Sequence, residues 1–154
     1  MMTLELWVHL AHVVGAIVWV GGGVMLSLVG LRARQSGNLA VIGEFARTLS
    51  YVGLRVFTPA VVVVLLSGIG LVLLNSEFNF TQLWVLLALA GFVLAFLIGA
   101  VYLSRSAIQL ERAVSQNADL QATSQALKRW LLGYGVVLIV LVFVIWDMIF
   151  KPGT

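Results

Sequence analysis

The chain has 154 residues and no cysteine. That excludes disulfides, cysteine-ligated iron–sulfur clusters and thiolate metal sites, and says nothing about compartment. Charge is scarce as well: 10% of the residues are Asp, Glu, Lys or Arg, against about a quarter in soluble domains. The formal net charge of +3 is small, and gives no reason to expect a nucleic-acid partner. Period-2 alternation is missing, which speaks against a membrane β-barrel. The N-terminus has no basic n-region and its apolar run is too long for a signal-peptide core, so we expect a retained span. There are only two histidines, His9 and His12, and the four methionines are scattered.

What is present is apolar. Hydrophobic residues make up 62% of the chain, and the mean hydropathy is +1.10. Such a chain has lipid for solvent, where backbone polar groups must be satisfied within helices. The expected fold is all-α: a single transmembrane four-helix bundle with spans near 4–31, 56–74, 82–103 and 130–150. Each approximates the roughly 20 apolar residues that a crossing needs. Between the first two, residues 39–55 turn amphipathic. Ile42, Phe45, Leu49 and Val52 recur on one side and Glu44, Arg47, Thr48 and Arg55 on the other. This is an interfacial helix or an extension of helix two. Thr58-Pro59 marks a helix start or a kink. Helix three continues toward residue 115, Asn117-Ala118-Asp119 reads as a break with Asp119 as an N-cap, and Lys151-Pro152-Gly153 ends helix four.

Basic residues set the orientation. Arg32, Arg34, Arg47 and Arg55 flank the first hairpin and Arg105, Arg112, Lys128 and Arg129 the third connection, leaving only Lys151 on the other side. Both termini are therefore expected outside, with helical cytoplasmic extensions. Trp7, Trp84 and Trp146 would form an outer aromatic belt and Trp130 an inner one. Trp19 lies twelve residues past Trp7, about 18 Å deeper along a helix.

The stretch from Trp7 to Gly23 holds both histidines within apolar sequence. His9 and His12 share one face of helix one. Asp147 and Met148 reach a similar depth near the outer end of helix four. Glu5, His9, His12, Asp147 and Met148 would converge if those helices are neighbours. Imidazole with carboxylate or thioether suits a haem iron or a copper ion, and equally a plain hydrogen-bonded pair. Amphipathic residues reaching headgroup water are the other reading. No histidine follows helix one, so a haem would need a dimer, a His/Met pair or a five-coordinate iron. Gly91, Ala95 and Gly99 form a small-residue stripe on helix three, and Gly22 and Gly68 are further points of close helix approach. The glycines at 21–23 follow no strand and are no phosphate loop. Arg55 reads as a snorkelling residue or a headgroup contact. Ser27 and the other hydroxyls are bracketed by nothing that would make a nucleophile.

The run His12-Val13-Val14-Gly15-Ala16-Ile17-Val18-Trp19-Val20-Gly21-Gly22 resembles the first-helix signature of bacterial CopD-type membrane families, with a histidine seven residues before Trp-x-Gly-Gly. It is also similar to the start of the HemJ-type protoporphyrinogen oxidases. Thr58-Pro59-Ala60, Ser67-Gly68-Ile69-Gly70-Leu71 and Met148-Ile149-Phe150-Lys151-Pro152 look still closer to a predicted integral-membrane family of unknown function. The HemJ likeness implies haem b with His12 as ligand and an oxidase role in haem synthesis. The CopD likeness implies copper handling across a bacterial inner membrane. The sequence therefore leaves two expectations. One is a haem- or metal-binding membrane protein using His12, with His9, Met148 or Asp147 beside it. The other is a subunit or scaffold without a cofactor, packing in the lipid through its small-residue faces as a homo-oligomer or within a larger membrane complex.

Overall fold

The computed structural model describes residues 2–116 and 119–153. They form six α-helices and no strand. Helix α1 covers Met2–Gln35, α2 Leu39–Val52, α3 Thr58–Leu74, α4 Leu83–Leu97, α5 Ser104–Ser115 and α6 Leu120–Phe150. Single π turns, Gly53–Phe57 and Ile98–Leu103, join α2 to α3 and α4 to α5. Four continuous rods of membrane-crossing length result, Thr3–Gln35, Leu39–Leu74, Leu83–Ser115 and Leu120–Phe150. The amphipathic stretch at 39–55 is thus an extension of helix two.

The first π turn has a local cause. Pro59 lacks an N–H and its ring crowds the carbonyl four residues back, so an α-helix cannot pass it undistorted. The wider turn relieves this, and Thr58 bonds the Gly53 carbonyl through both its backbone N–H and its Oγ1, the latter at 3.0 Å. Ser104 repeats the arrangement on the Gly99 carbonyl, its Oγ at 3.2 Å, although no proline is present there. Asn38 caps α2 by accepting from the Ala40 N–H, and Asp119 caps α6 by accepting from the Ala122 N–H at 2.7 Å. Of the expected break before α6, Asn117 and Ala118 lie outside the described residues.

The helices pack antiparallel. Helix α1 is flanked by α3 and α6, and α4 packs on α6. No Cα of α4 comes within 8 Å of α1 or α3, and only side chains bridge there, as where Phe92 meets Trp19 edge to face at 5.7 Å. At the basic end α2 and α5 join α1 and α6, and the densest core sits there. Ile42, Leu110, Leu127 and Thr123 are sealed, with Phe45 and Trp130 between them. Lipid-facing surfaces stay rich in Leu, Val and Ile, since in hydrocarbon apolar side chains have no reason to turn inward.

Contact between rods is instead made where side chains are small. A Cβ on Gly91 would overlap Val144 of α6, and Ala95 is fully enclosed, whereas Gly99 faces open space. Two members of the helix-three stripe are therefore taken up within the chain. Gly22 seats Phe57 and Gly68 seats His12. The aromatic belt needs correction. Trp7 and Trp146 are exposed, but Trp84 and Trp130 are buried. Trp130 packs edge-on to Phe45 and stacks on Tyr134, and Trp84 is covered by Phe78 and the Lys151 ammonium. Their partners are aromatic rings and a cation rather than headgroups.

Candidate functional site

The α1–α3 hairpin fixes the surroundings of His12. Val8 lies against Gly70, Gly15 against Val63 and Val64, and Gly22 against Phe57, which sets His12 level with the turn from Val64 to Gly68. Its Nδ1 lies 3.0 Å from the Val64 carbonyl oxygen and 3.1 Å from Ser67 Oγ. A carbonyl can only accept, so Nδ1 carries the proton and donates it. Ser67 Oγ in turn donates to the Val63 carbonyl, which leaves its lone pairs facing the imidazole. The Val64 carbonyl can accept this bond because an intrahelical carbonyl keeps a second lone pair. Gly68 makes the approach possible: a Cβ there would stand 3.1 Å from His12 Cε1. On the neutral ring Nε2 then keeps its lone pair. Among the described residues it has no hydrogen-bond partner, and it is not sealed off in the protein.

The other residues singled out in the sequence separate. Glu5 accepts from Asn75 Nδ2 at 2.9 Å, which ties the N-terminus of α1 to the end of α3. His9 is exposed. Helices α1 and α6 are indeed neighbours, and Asp147 lies thirteen residues outward of Tyr134, about 20 Å along the helix, near the depth of the histidines. Yet His12 and Asp147 share no hydrogen bond or ion pair. Met148 is half-buried. Ser27 Oγ is spent on the Gly23 carbonyl of its own helix, at 2.8 Å. Among the described residues no three His, Cys, Asp or Glu side chains gather as a metal site.

Asp147 itself is the second feature. It is 0% exposed, and neither carboxyl oxygen has a hydrogen-bond partner. Trp84, on the facing helix, has a buried Nε1 that is likewise unbonded. One turn further out Lys151 closes this end, in a left-handed conformation with φ 42°, its N–H on the Asp147 carbonyl. Its ammonium lies 4.4 Å from the Phe78 ring centre and 5.3 Å from that of Trp84. A buried polar group without partners costs about 1–3 kcal/mol. Asp147→Leu should therefore raise the thermal midpoint in detergent, by the equivalent of about 1–3 kcal/mol. A lowered midpoint would show that the carboxyl holds the fold together. A group kept at such a cost inside a span is a candidate for function by default.

Ser67 and the Val64 carbonyl are the His12 partners that sequence reasoning missed. The usable signal was Ser67, a polar residue whose place in the antiparallel hairpin matches the depth of His12. No curated protein and no solved structure matches the chain, and nothing in the comparisons ties it to the CopD-type or HemJ-type families in particular. A family model described as "Predicted integral membrane protein (DUF2269)" matches residues 6–152, which takes in all but the first three residues of the four membrane rods. The chain thus belongs to the DUF2269 family of integral membrane proteins.

Proposed function

We propose that the protein holds a haem b within the membrane through Nε2 of His12. The observation that carries this reading is the Nδ1–H bond to the Val64 carbonyl. A ligating histidine has its far nitrogen tied to a carbonyl or carboxylate, which fixes the tautomer and ring orientation and leaves the other nitrogen as the ligand. Ser67 supports the same tautomer. The lack of a three-residue His, Cys, Asp or Glu cluster among the described residues weighs against a bare copper ion or other metal ligated wholly by such groups of one chain. A porphyrin brings four nitrogens of its own and asks the protein for one axial imidazole. One His12 serves a five-coordinate haem, and His12 from each of two copies would serve a six-coordinate one. When bound, haem supplies one-electron or oxygen chemistry. The chain's own residues would hold it through the His12 ring nitrogen, with the Val64 carbonyl and Ser67 fixing the ring's orientation. We place the protein in a bacterial inner membrane, with its basic hairpins on the cytoplasmic side.

The test is a visible spectrum and metal analysis of protein purified in mild detergent from cells supplied with haem precursor. The expected result is a Soret band at one haem per chain or per two chains, lost in His12→Ala and retained in His9→Ala. A colourless, metal-free preparation, or a full Soret band in His12→Ala, overturns the reading. A colourless preparation containing copper that His12→Ala loses would favour copper handling. A scaffold role predicts a colourless, metal-free protein indifferent to His12→Ala.

A further inference from the structure

At the opposite end of the bundle from His12, a cavity of about 290 Å³ opens between α5 and α6, lined by Val101, Tyr102, Arg105, Ser106, Gln109 and Arg129. Its wall depends on two local features. The π turn at Ile98–Leu103 carries Val101 and Tyr102 into α5, where Arg105 and Gln109 follow one turn apart. Gly133 leaves α6 bare at this level, so that the Tyr102 ring lies against its backbone, where a Cβ would overlap the ring. The Tyr102 hydroxyl donates to the Arg129 carbonyl at 3.4 Å, which pins the ring beside the second arginine.

The lining is chemically one-sided. It holds two guanidiniums from different helices, the hydroxyl of a buried serine residue, an amide and a phenol, and no carboxylate. Neither arginine is in an ion pair; among the described residues the one salt bridge joins Arg47 to Glu44. Arginine forks match the oxygens of a phosphate, and here two of them line one hollow. The cavity lies at the basic end of the spans, where headgroups of the inner leaflet sit. Its volume suits a headgroup-sized ligand and falls just under the usual range for whole drug-like molecules, about 300–1,000 Å³. A single snorkelling arginine needs none of this: it would not bring a second guanidinium and three neutral hydrogen-bonding side chains to one hollow.

We propose that Arg105 and Arg129, with Ser106, Gln109 and Tyr102, form a phosphate-binding site at the inner membrane boundary. It is filled either by the phosphate of an anionic phospholipid or by a free phosphate. The site is independent of His12. The test uses the full chain in detergent. Native mass spectrometry measures retention of added phosphatidylglycerol against phosphatidylcholine, and calorimetry measures binding of inorganic phosphate. The expected result is retention of phosphatidylglycerol, or binding of inorganic phosphate, that falls at least tenfold in Arg105→Gln/Arg129→Gln and only partly in the double lysine variant. Preference for phosphatidylglycerol identifies the lipid source, and binding of inorganic phosphate alone identifies the free ion. Arg32→Gln, an inner-end arginine outside the cavity, should leave both unchanged. Equal binding by the double glutamine variant and the parent, or the same loss in Arg32→Gln, overturns the proposal. Both arginines are exposed, so the variants should keep the parent's thermal midpoint.

Discussion

Gly23→Leu is expected to leave little or no folded protein, while Gly21→Leu, two residues earlier, is expected to be tolerated. A Cβ on Gly23 would overlap Oη, Cε1 and Cζ of Tyr134, whereas one on Gly21 would meet nothing within 4 Å. The tyrosine cannot swing aside cheaply. Its ring is stacked on Trp130 at 5.3 Å and on Phe57 at 6.2 Å, and its hydroxyl lies 3.4 Å from the Trp19 carbonyl. Moving it would separate α1 from α6, the central pair of the bundle. Overpacking a core by a few methylenes costs about 1–3 kcal/mol and occasionally more; a leucine against a ring held by Trp130 and Phe57 belongs at the upper end or beyond it. The measurement is the yield of monodisperse protein in detergent and its thermal midpoint. A second-site change that removes the ring, Tyr134→Ala, should restore part of the loss, because the two residues compete for one volume. Wild-type stability in Gly23→Leu would mean that α1 and α6 do not touch there.

This contrast also marks how far the sequence could be read. Hydropathy and charge placement set the four rods and their hairpins, and local backbone chemistry the Asp119 cap; at 39–55 the amphipathic helix was legible, but not whether it lay at the interface or extended helix two. The small residues were visible as points of close approach. Their partners were not. Gly91 meets α6 of the same chain and Gly99 meets nothing, yet both occupy the same stripe in sequence. In lipid an apolar side chain gains no transfer energy by turning inward, so hydropathy does not distinguish a face packed on a neighbour from one packed on acyl chains. The order of rods, α3–α1–α6–α4, is invisible for the same reason. Of the site, the depth of His12 and Asp147 was legible from counting residues along helices. Its connectivity was not, because a backbone carbonyl such as that of Val64 leaves no trace in side-chain sequence. Ser104 likewise marked the second π turn only in hindsight, there being no proline beside it to force one.

Trp130→Ala should cost the protein about 3–5 kcal/mol, the range for removing a large aromatic from a packed core, whereas Trp7→Ala and Trp146→Ala should change the thermal midpoint little. An aromatic-belt role would rank the three alike. The structure separates them: Trp130 is 2% exposed, Trp7 67% and Trp146 45%. Trp130 stands where α6 enters the basic end of the bundle. It meets Phe45 of α2 edge to face at 5.7 Å and stacks on Tyr134. Phe45 in turn lies against α1, its ring filling the space beside Gly30. Deleting the indole therefore removes the wedge on which α2 rests, and α2 is tied to the membrane-spanning α3 only through the π turn at Gly53–Phe57. Loss should appear first as detachment of α2. Hydrogen exchange in Leu39–Val52 is expected to rise well before exchange in α1 or α6 does. A uniform rise across all helices would instead make the inner core and the spans one cooperative unit. An unchanged midpoint would place Trp130 in lipid after all.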